Sequence, residues 1–360
     1  MIFSVFKRKV KTALNRFYSY ISRNYLPKPN FETLMSESIE IVKNGTPKTK
    51  VLYLAAKYDY GDKSRGLGYE EYNFYYTLKN MPDIEIIRFD FYTIYSKYGK
   101  EYANQMIKEV ALLEGVDKIL FLLYLDYIDY DMMKDLSDNY PIETIIWLFD
   151  DDKRYPHTIE LTKQFNKVVT TLQDRHKTRL EKGFNSHLAQ FAANHYLYKD
   201  FGLKKIYDVV FIGQNFGNRQ MYVDYLKANG INILALGRGW SDGRVTQTQM
   251  IEIFNKAKIV LNFSSSAGHP ELKFLKGRVF EIPATGAFLL TEECGELDDY
   301  FEVGNELERF STKEEMLEKV KYYLENEEKR EEIAKNGKKR VLENYTFERY
   351  LNEILGEKNY

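Results

Sequence analysis

The residues with the most chemistry to offer lie between Ile259 and Glu292, in the stretch IVLNFSSSAGHPELKFLKGRVFEIPATGAFLLTE. A loop with Ser264, Ser265, Ser266 and Gly268 runs toward a helix start near Lys276 and Gly277, so backbone N–H groups and a helix dipole are both on offer to an anion. Lys276 and Arg278 beside that start can neutralise a diphosphate, the arginine as a bidentate fork and the lysine as a point charge. Glu281 follows one turn on. Phosphate repels a carboxylate, so its natural use is to accept hydrogen bonds from ribose hydroxyls; the plainer alternative is a surface Arg278–Glu281 pair at helical spacing. His269 lies in the same loop, where an imidazole can donate to a ligand or shuttle a proton.

A second cluster, Asp150, Asp151 and Asp152, follows the apolar run IIWLF. Oxygen ligands of this kind suit Mg or Mn, but clustered carboxylates are also tolerated beside bases, here Lys153 and Arg154. Three roles stay open: lining a ligand cleft, where one of them serves as base for an acceptor hydroxyl; holding a metal through Asp150 and Asp152; or capping the following helix. Cleft lining is the favoured one. Weaker signals come from Gly213, Asn215 and Arg219 after the run DVVFI, from Gly237, Arg238 and Trp240 after the next strand, and from Arg65, Gly66, Gly68 and Glu70 after the first. Trp240 can stack on a base or simply close a hydrophobic lid.

Several chemistries lose their usual marks. Gly66-Leu67-Gly68 lacks the third glycine of a dinucleotide fingerprint, and there is no GxxxxGK[ST], Gly-x-Ser-x-Gly or His-Glu-x-x-His. The one cysteine, Cys294, excludes an internal disulfide and multi-cysteine metal sites, which fits a reducing, cytoplasmic setting.

To hold such residues the chain needs strands that end at them. Lys50–Ala56, Ile84–Phe91, Lys118–Leu125, Thr144–Phe149 and Lys167–Thr171 are apolar runs without alternation, separated by helical patterns such as Tyr102–Glu114. Asp208–Ile212, Ile231–Leu236, Ile259–Phe263 and Ala287–Thr291 repeat the arrangement. Non-alternating strands with helices between them predict parallel sheets covered on both faces, hence two α/β domains with ligands at the carboxyl ends of their strands. A short helix is expected around residues 31–44, a linker over 194–205, and charged helices over 311–356. The expected divisions are 1–30, 31–200, 201–345 and 346–360, the last a helix packing back on the first domain.

With 360 residues, 44% hydrophobic and 29% charged, the chain is globular in composition. Its 52 Lys and Arg against 53 Asp and Glu give no basic excess for nucleic-acid binding. Residues 1–30 are the exception: seven basic residues and no acidic one, with Phe3, Phe6, Val10, Leu14, Phe17 and Ile21 at helical spacing. That segment is expected as a basic amphipathic helix, either covering its own domain or lying on an anionic membrane through residues 1–28.

The segment KGRVFEIPATGAFLLTE, with ELDDYF, YYLEN and NGKKRVLENYTFERY, resembles the CgeB-like glycosyltransferases, a branch of the group 1 transferases with the GT-B fold. The likeness extends through DVVFIGQNFGNRQ, LALGRGW and IIWLFDDDKRY and so covers most of the chain beyond residue 48. It implies two facing Rossmann-like domains, a UDP-, GDP- or dTDP-sugar held by the second, and a glycan, protein or lipid-linked acceptor held mainly by the first. It also implies retention, no required metal, and that Arg219 meets the donor diphosphate. Glu281 matches the second glutamate of the family's Glu-x7-Glu motif and so the ribose ligand, whereas Lys273 stands where the first belongs. That departure keeps alternatives open: a GT-A-like metal-dependent transferase on Asp150–Asp152, an epimerase or hydrolase of nucleotide sugars, and a catalytically silent nucleotide- or glycan-binding protein.

Overall fold

The apolar runs become the strands of two separate sheets. The computed structural model describes residues 39–122, 127–149, 151, 157–266 and 269–356, with backbone only at 269–270. The expected helix in residues 1–30 lies outside the described residues. The chain divides into two compact units, one up to Gln190 and one from Phe191. Residues 194–205 and the last helix, Phe347–Gly356, belong to the second.

In the first unit the strands are β1 (Ile39–Lys43), β2 (Thr49–Ala55), β3 (Ile84–Asp90), β4 (Lys118–Leu122), β5 (Glu143–Leu148), β6 (Lys167–Thr170) and β7 (Ser186–Leu188). Their order is β1-β3-β2-β4-β5-β6-β7. From β3 to β7 all neighbours are parallel, and the central residues of β2 to β6 are buried because helices cover the sheet. The chain runs from β2 to β3 on one side and returns to β4 on the other, which puts the switch point at the carboxyl ends of β2 and β4.

The helix expected around 31–44 is corrected where the chain is described: Ile39–Lys43 is a strand, antiparallel to β3 with Ile41 opposite Ile87. An edge strand with one half-exposed face has the alternation Ile-Glu-Ile, which over five residues does not separate strand from helix by period.

The second unit contains β8 (Tyr207–Ile212), β9 (Ile233–Leu236), β10 (Ala257–Asn262), β11 (Ser265–Ser266), β12 (His269–Lys273), β13 (Phe288–Glu292) and β14 (Glu308–Phe310). Five form a parallel sheet in the order β14-β13-β10-β8-β9, with the switch point between β8 and β10. β11 and β12 form an antiparallel hairpin inserted between β10 and the helix Gly277–Ala284. The charged tail is helical, as expected, over Lys313–Glu325, Glu327–Asn344 and Phe347–Gly356. Gly337 lets the second of these lie against the Glu306 carbonyl, which an added Cβ would approach to 2.1 Å.

Candidate active site

At the switch point of the second sheet the loops after β8 and β9 interlock. Gly237 has φ of +127°, and a Cβ there would meet the Gly213 carbonyl oxygen at 2.2 Å, so only glycine fits. The same oxygen accepts from Trp240 Nε1 at 2.9 Å, while the indole sits edge-on to Phe211. Trp240 is thus part of the loop framework, and its ring is already packed. The Asn215 N–H donates to the exposed Arg238 carbonyl at 2.8 Å, and its Nδ2 donates to Gln220 and Gly239.

Arg219 opens the helix Arg219–Ala228 with its side chain turned inward. Nη1 donates to the Gln214 carbonyl at 2.8 Å and Nη2 to that of Phe263 at 3.3 Å, with the guanidinium 3.8 Å from the Phe216 ring centre. Nε is buried with no partner among the described residues. Burial lowers the guanidinium pKa to about 10, against the opposing pull of Glu292, so it stays charged at neutral pH. Arg219 therefore ties the loops after β8 and β10 together.

The serine loop has an occupant that the sequence did not suggest. Glu292, the last residue of β13 and buried, accepts from the Ser264 N–H at 2.9 Å and the Ser265 N–H at 3.2 Å through one oxygen, Oε2. Its other oxygen pairs with Lys273 Nζ at 3.1 Å, and its main-chain carbonyl accepts from Ser264 Oγ at 2.7 Å. The N–H groups expected to cradle a phosphate are satisfied by an internal carboxylate, and Lys273 neutralises that carboxylate. An acid closing the apolar run FLLTE was the available signal.

Four residues beyond Lys273 the helix Gly277–Ala284 begins, with Lys276 as an N-cap that makes no side-chain capping bond. Lys276 Nζ lies over the Phe274 ring. Arg278 and Glu281 do pair, but not on the surface: the Glu281 side chain is 0% exposed and that of Arg278 32%. One Glu281 oxygen takes the arginine, and Oε1 is buried without a partner among the described residues. A buried carboxylate oxygen left unsatisfied is costly unless something binds there. His269 contributes backbone to β12, and its side chain lies outside the described residues.

In the first unit, Arg65 forks onto Asp59 at 2.7 Å and stacks over Tyr60. Gly66 has φ of +87°, and Gly68 lies against the Glu70 carboxylate and the Ala56 carbonyl. The Glu70 carbonyl accepts from the buried Tyr53 hydroxyl at 3.0 Å. Next to it, Glu71 and Arg88 form a buried pair at 3.0 Å that the sequence did not reveal. Burial raises the Glu71 carboxyl to about 7, against the pull of Arg88.

Of the aspartate triplet, Asp150 and Asp152 lie outside the described residues. Asp151 is fully buried: it meets Arg179 at 2.5 and 3.2 Å, Thr158 at 2.6 Å and Thr170 at 2.8 Å. With both oxygens engaged away from solvent, it ties the loop after β5 to Arg179, Thr158 and Thr170. Among the described residues, no group of three His, Cys, Asp or Glu is placed to hold a metal, and no helix is long and apolar enough to cross a membrane.

These two α/β units have the GT-B glycosyltransferase fold, which leaves the metal-holding GT-A interpretation of Asp150–Asp152 without its scaffold. A family model described as glycosyl transferase-like matches residues 219–356, from Arg219 through the last described helix. In structure the chain is similar to HepE of Anabaena in complex with UDP and glucose, at 13% identity and a TM-score of 0.57, over 86% of this chain and 98% of that one. It is also similar to sucrose-phosphate synthase of Thermosynechococcus elongatus, at 10% identity and 0.59, over 86% and 98%. A glycosyltransferase of Rickettsia africae aligns at 11% identity and 0.60, over 86% and 97%. No curated protein matches the chain in sequence.

Proposed function

We propose that the protein is a CgeB-like glycosyltransferase that moves a hexose from a nucleoside-diphosphate sugar to a glycan, protein or lipid-linked acceptor in polysaccharide or glycoconjugate synthesis. The observation that carries this is Glu281: a fully buried carboxylate, one turn into the helix that Lys276 and Arg278 open, with one oxygen unpartnered among the described residues. Two ribose hydroxyls are the donors such an oxygen lacks. Lys276, Arg278 and the first N–H groups of the helix meet the diphosphate, offsetting charge as the leaving group departs. UDP is the first nucleotide to try, since HepE was crystallised with it.

Transfer with retention replaces the bond from the anomeric carbon to the donor phosphate oxygen on the same face of the sugar, and that oxygen takes the acceptor proton. No metal is required in this scheme, and the acceptor is held by the first unit through the loop Arg65–Glu70. The protein works in the cytoplasm, at the inner membrane face through residues 1–28.

Thermal stabilisation by UDP, GDP, dTDP, ADP and CMP, with and without Mn, tests this proposal, because a ligand at about 100 times its Kd adds roughly 2.7 kcal/mol. A metal-independent shift with one nucleoside diphosphate, lost in Glu281→Gln, is expected. No shift with any of them refutes it.

A further inference from the structure

The Glu292 side chain bonds to both legs of the β11–β12 hairpin. Its Oε2 holds the Ser264 and Ser265 N–H groups of the first leg, and its Oε1 holds Lys273 at the end of the second. The legs are also joined directly, by the Phe274 N–H to the Ser264 carbonyl at 3.1 Å. Arg219 grips the residue just before, through the Phe263 carbonyl. The second leg leads after Lys273 straight into Lys276 and the helix Gly277–Ala284. A carboxylate this buried and this fully engaged is no base, and the N–H groups it fills are not available to a phosphate.

Resting on the function proposed above, we propose that Glu292 is a positioning residue of the nucleotide-sugar site. It fastens the hairpin to the end of β13 and thereby fixes where the following helix presents Lys276, Arg278 and Glu281. The two N–H bonds carry most of this hold, and the Lys273 pair the rest.

Variants separate the two contributions. Glu292→Asp keeps the charge but shortens the reach by one methylene, and Glu292→Ala removes every side-chain contact; a displacement of about 1 Å in a site costs roughly 100-fold in rate, so both are expected to lower transfer from a UDP-sugar by about that factor and to weaken UDP binding by more than about threefold. Glu292→Gln keeps the length and an acceptor for both N–H groups, and Lys273→Ala leaves those bonds untouched. Each loses only the ion pair, so each is expected to weaken binding by no more than about 5-fold, of order the worth of a partly exposed pair. The double variant should be no worse than either single one, the mark of a shared interaction.

Hydrogen exchange across 264–276 in the ligand-free full chain reads the latch independently of nucleotide. The Ser264 and Ser265 amides should be protected in the wild type and in Glu292→Gln, and exposed in Glu292→Asp. UDP affinity within threefold of wild type in Glu292→Asp, at unchanged melting temperature and unchanged exchange, overturns the inference while leaving the Glu281 site standing. A wild type that binds no nucleotide overturns both, and rescue of binding by Gln but not by Asp supports positioning over charge.

Discussion

Replacing Asp151 by Asn decides whether the aspartate after β5 is scaffold or catalyst. The carboxylate and the Arg179 guanidinium are each 0% exposed, so solvent does not screen the pair. Neutralising one partner leaves a buried cation whose remaining side-chain partner is Thr162 at 3.3 Å. Breaking such a pair costs about 3–5 kcal/mol, which for a unit of this size lowers the melting temperature by roughly 10 °C. The assay is urea unfolding followed by Trp147, which lies buried in β5, in a Trp240→Phe background that removes the other tryptophan. Adding Arg179→Met should restore most of the loss, because removing both charges of a buried pair is often neutral. If Asp151→Asn shifts stability by less than about 1 kcal/mol and yet abolishes sugar transfer, the carboxylate is a base and its assignment as an anchor is wrong.

Two further outcomes are expected. The folded pKa of Glu71, about 7, lies above its ordinary 4.5, so both states are protonated in strong acid, and between pH 4.5 and 7 the unfolded chain ionises first. Stability therefore falls as pH rises through that window, by at most about 3 kcal/mol; Glu71→Gln should flatten the fall, and equal urea midpoints for variant and wild type at both pH 5 and pH 8 would count against it. Deleting residues 1–28 should abolish binding to vesicles rich in anionic lipid, with the wild-type binding weakened by salt, since each basic residue near the surface contributes about 1 kcal/mol. Unchanged vesicle binding after the deletion removes the membrane role.

The sequence revealed what depends on local composition. Buried parallel strands are continuous apolar runs, so the predicted Lys50–Ala56 and Ile259–Phe263 differ from β2 and β10 by only one or two residues at either end. The hairpin β11–β12 was illegible because Ser-Ser and His-Pro-Glu-Leu-Lys carry no apolar period, and β14 because three residues cannot show one. Glu281 was legible as an acid one turn beyond Lys276-Gly277-Arg278. Its burial was not, and burial is what separates a ligand site from a surface ion pair. Glu292 with Ser264, Asp151 with Arg179 and Glu71 with Arg88 lie 28, 28 and 17 residues apart. Sheet order brings such partners together, and spacing does not encode it.

Residues that look alike in sequence divide, in the fold, by whether their hydrogen-bonding capacity is already used. Arg219 gives two N–H groups to carbonyls, the serine N–H groups serve Glu292, Lys273 neutralises it, and Trp240 bonds to Gly213. For the serine N–H groups or the indole N–H to meet a ligand, an internal bond in a low-dielectric setting must first break, which costs about as much as the new bond returns. Among the described residues, Arg278 has five N–H donors and one partner in Glu281, and Glu281 has a buried oxygen with none. A ligand with anionic oxygens for the arginine and hydroxyls for the glutamate gains bonds there at the cost of opening the packing over the glutamate, without giving up an internal hydrogen bond. A nucleoside diphosphate carries both kinds of group on adjoining parts of one molecule, whereas inorganic phosphate offers only the first and a free sugar only the second. Affinity for UDP well above that for either fragment alone is what this division of capacity requires.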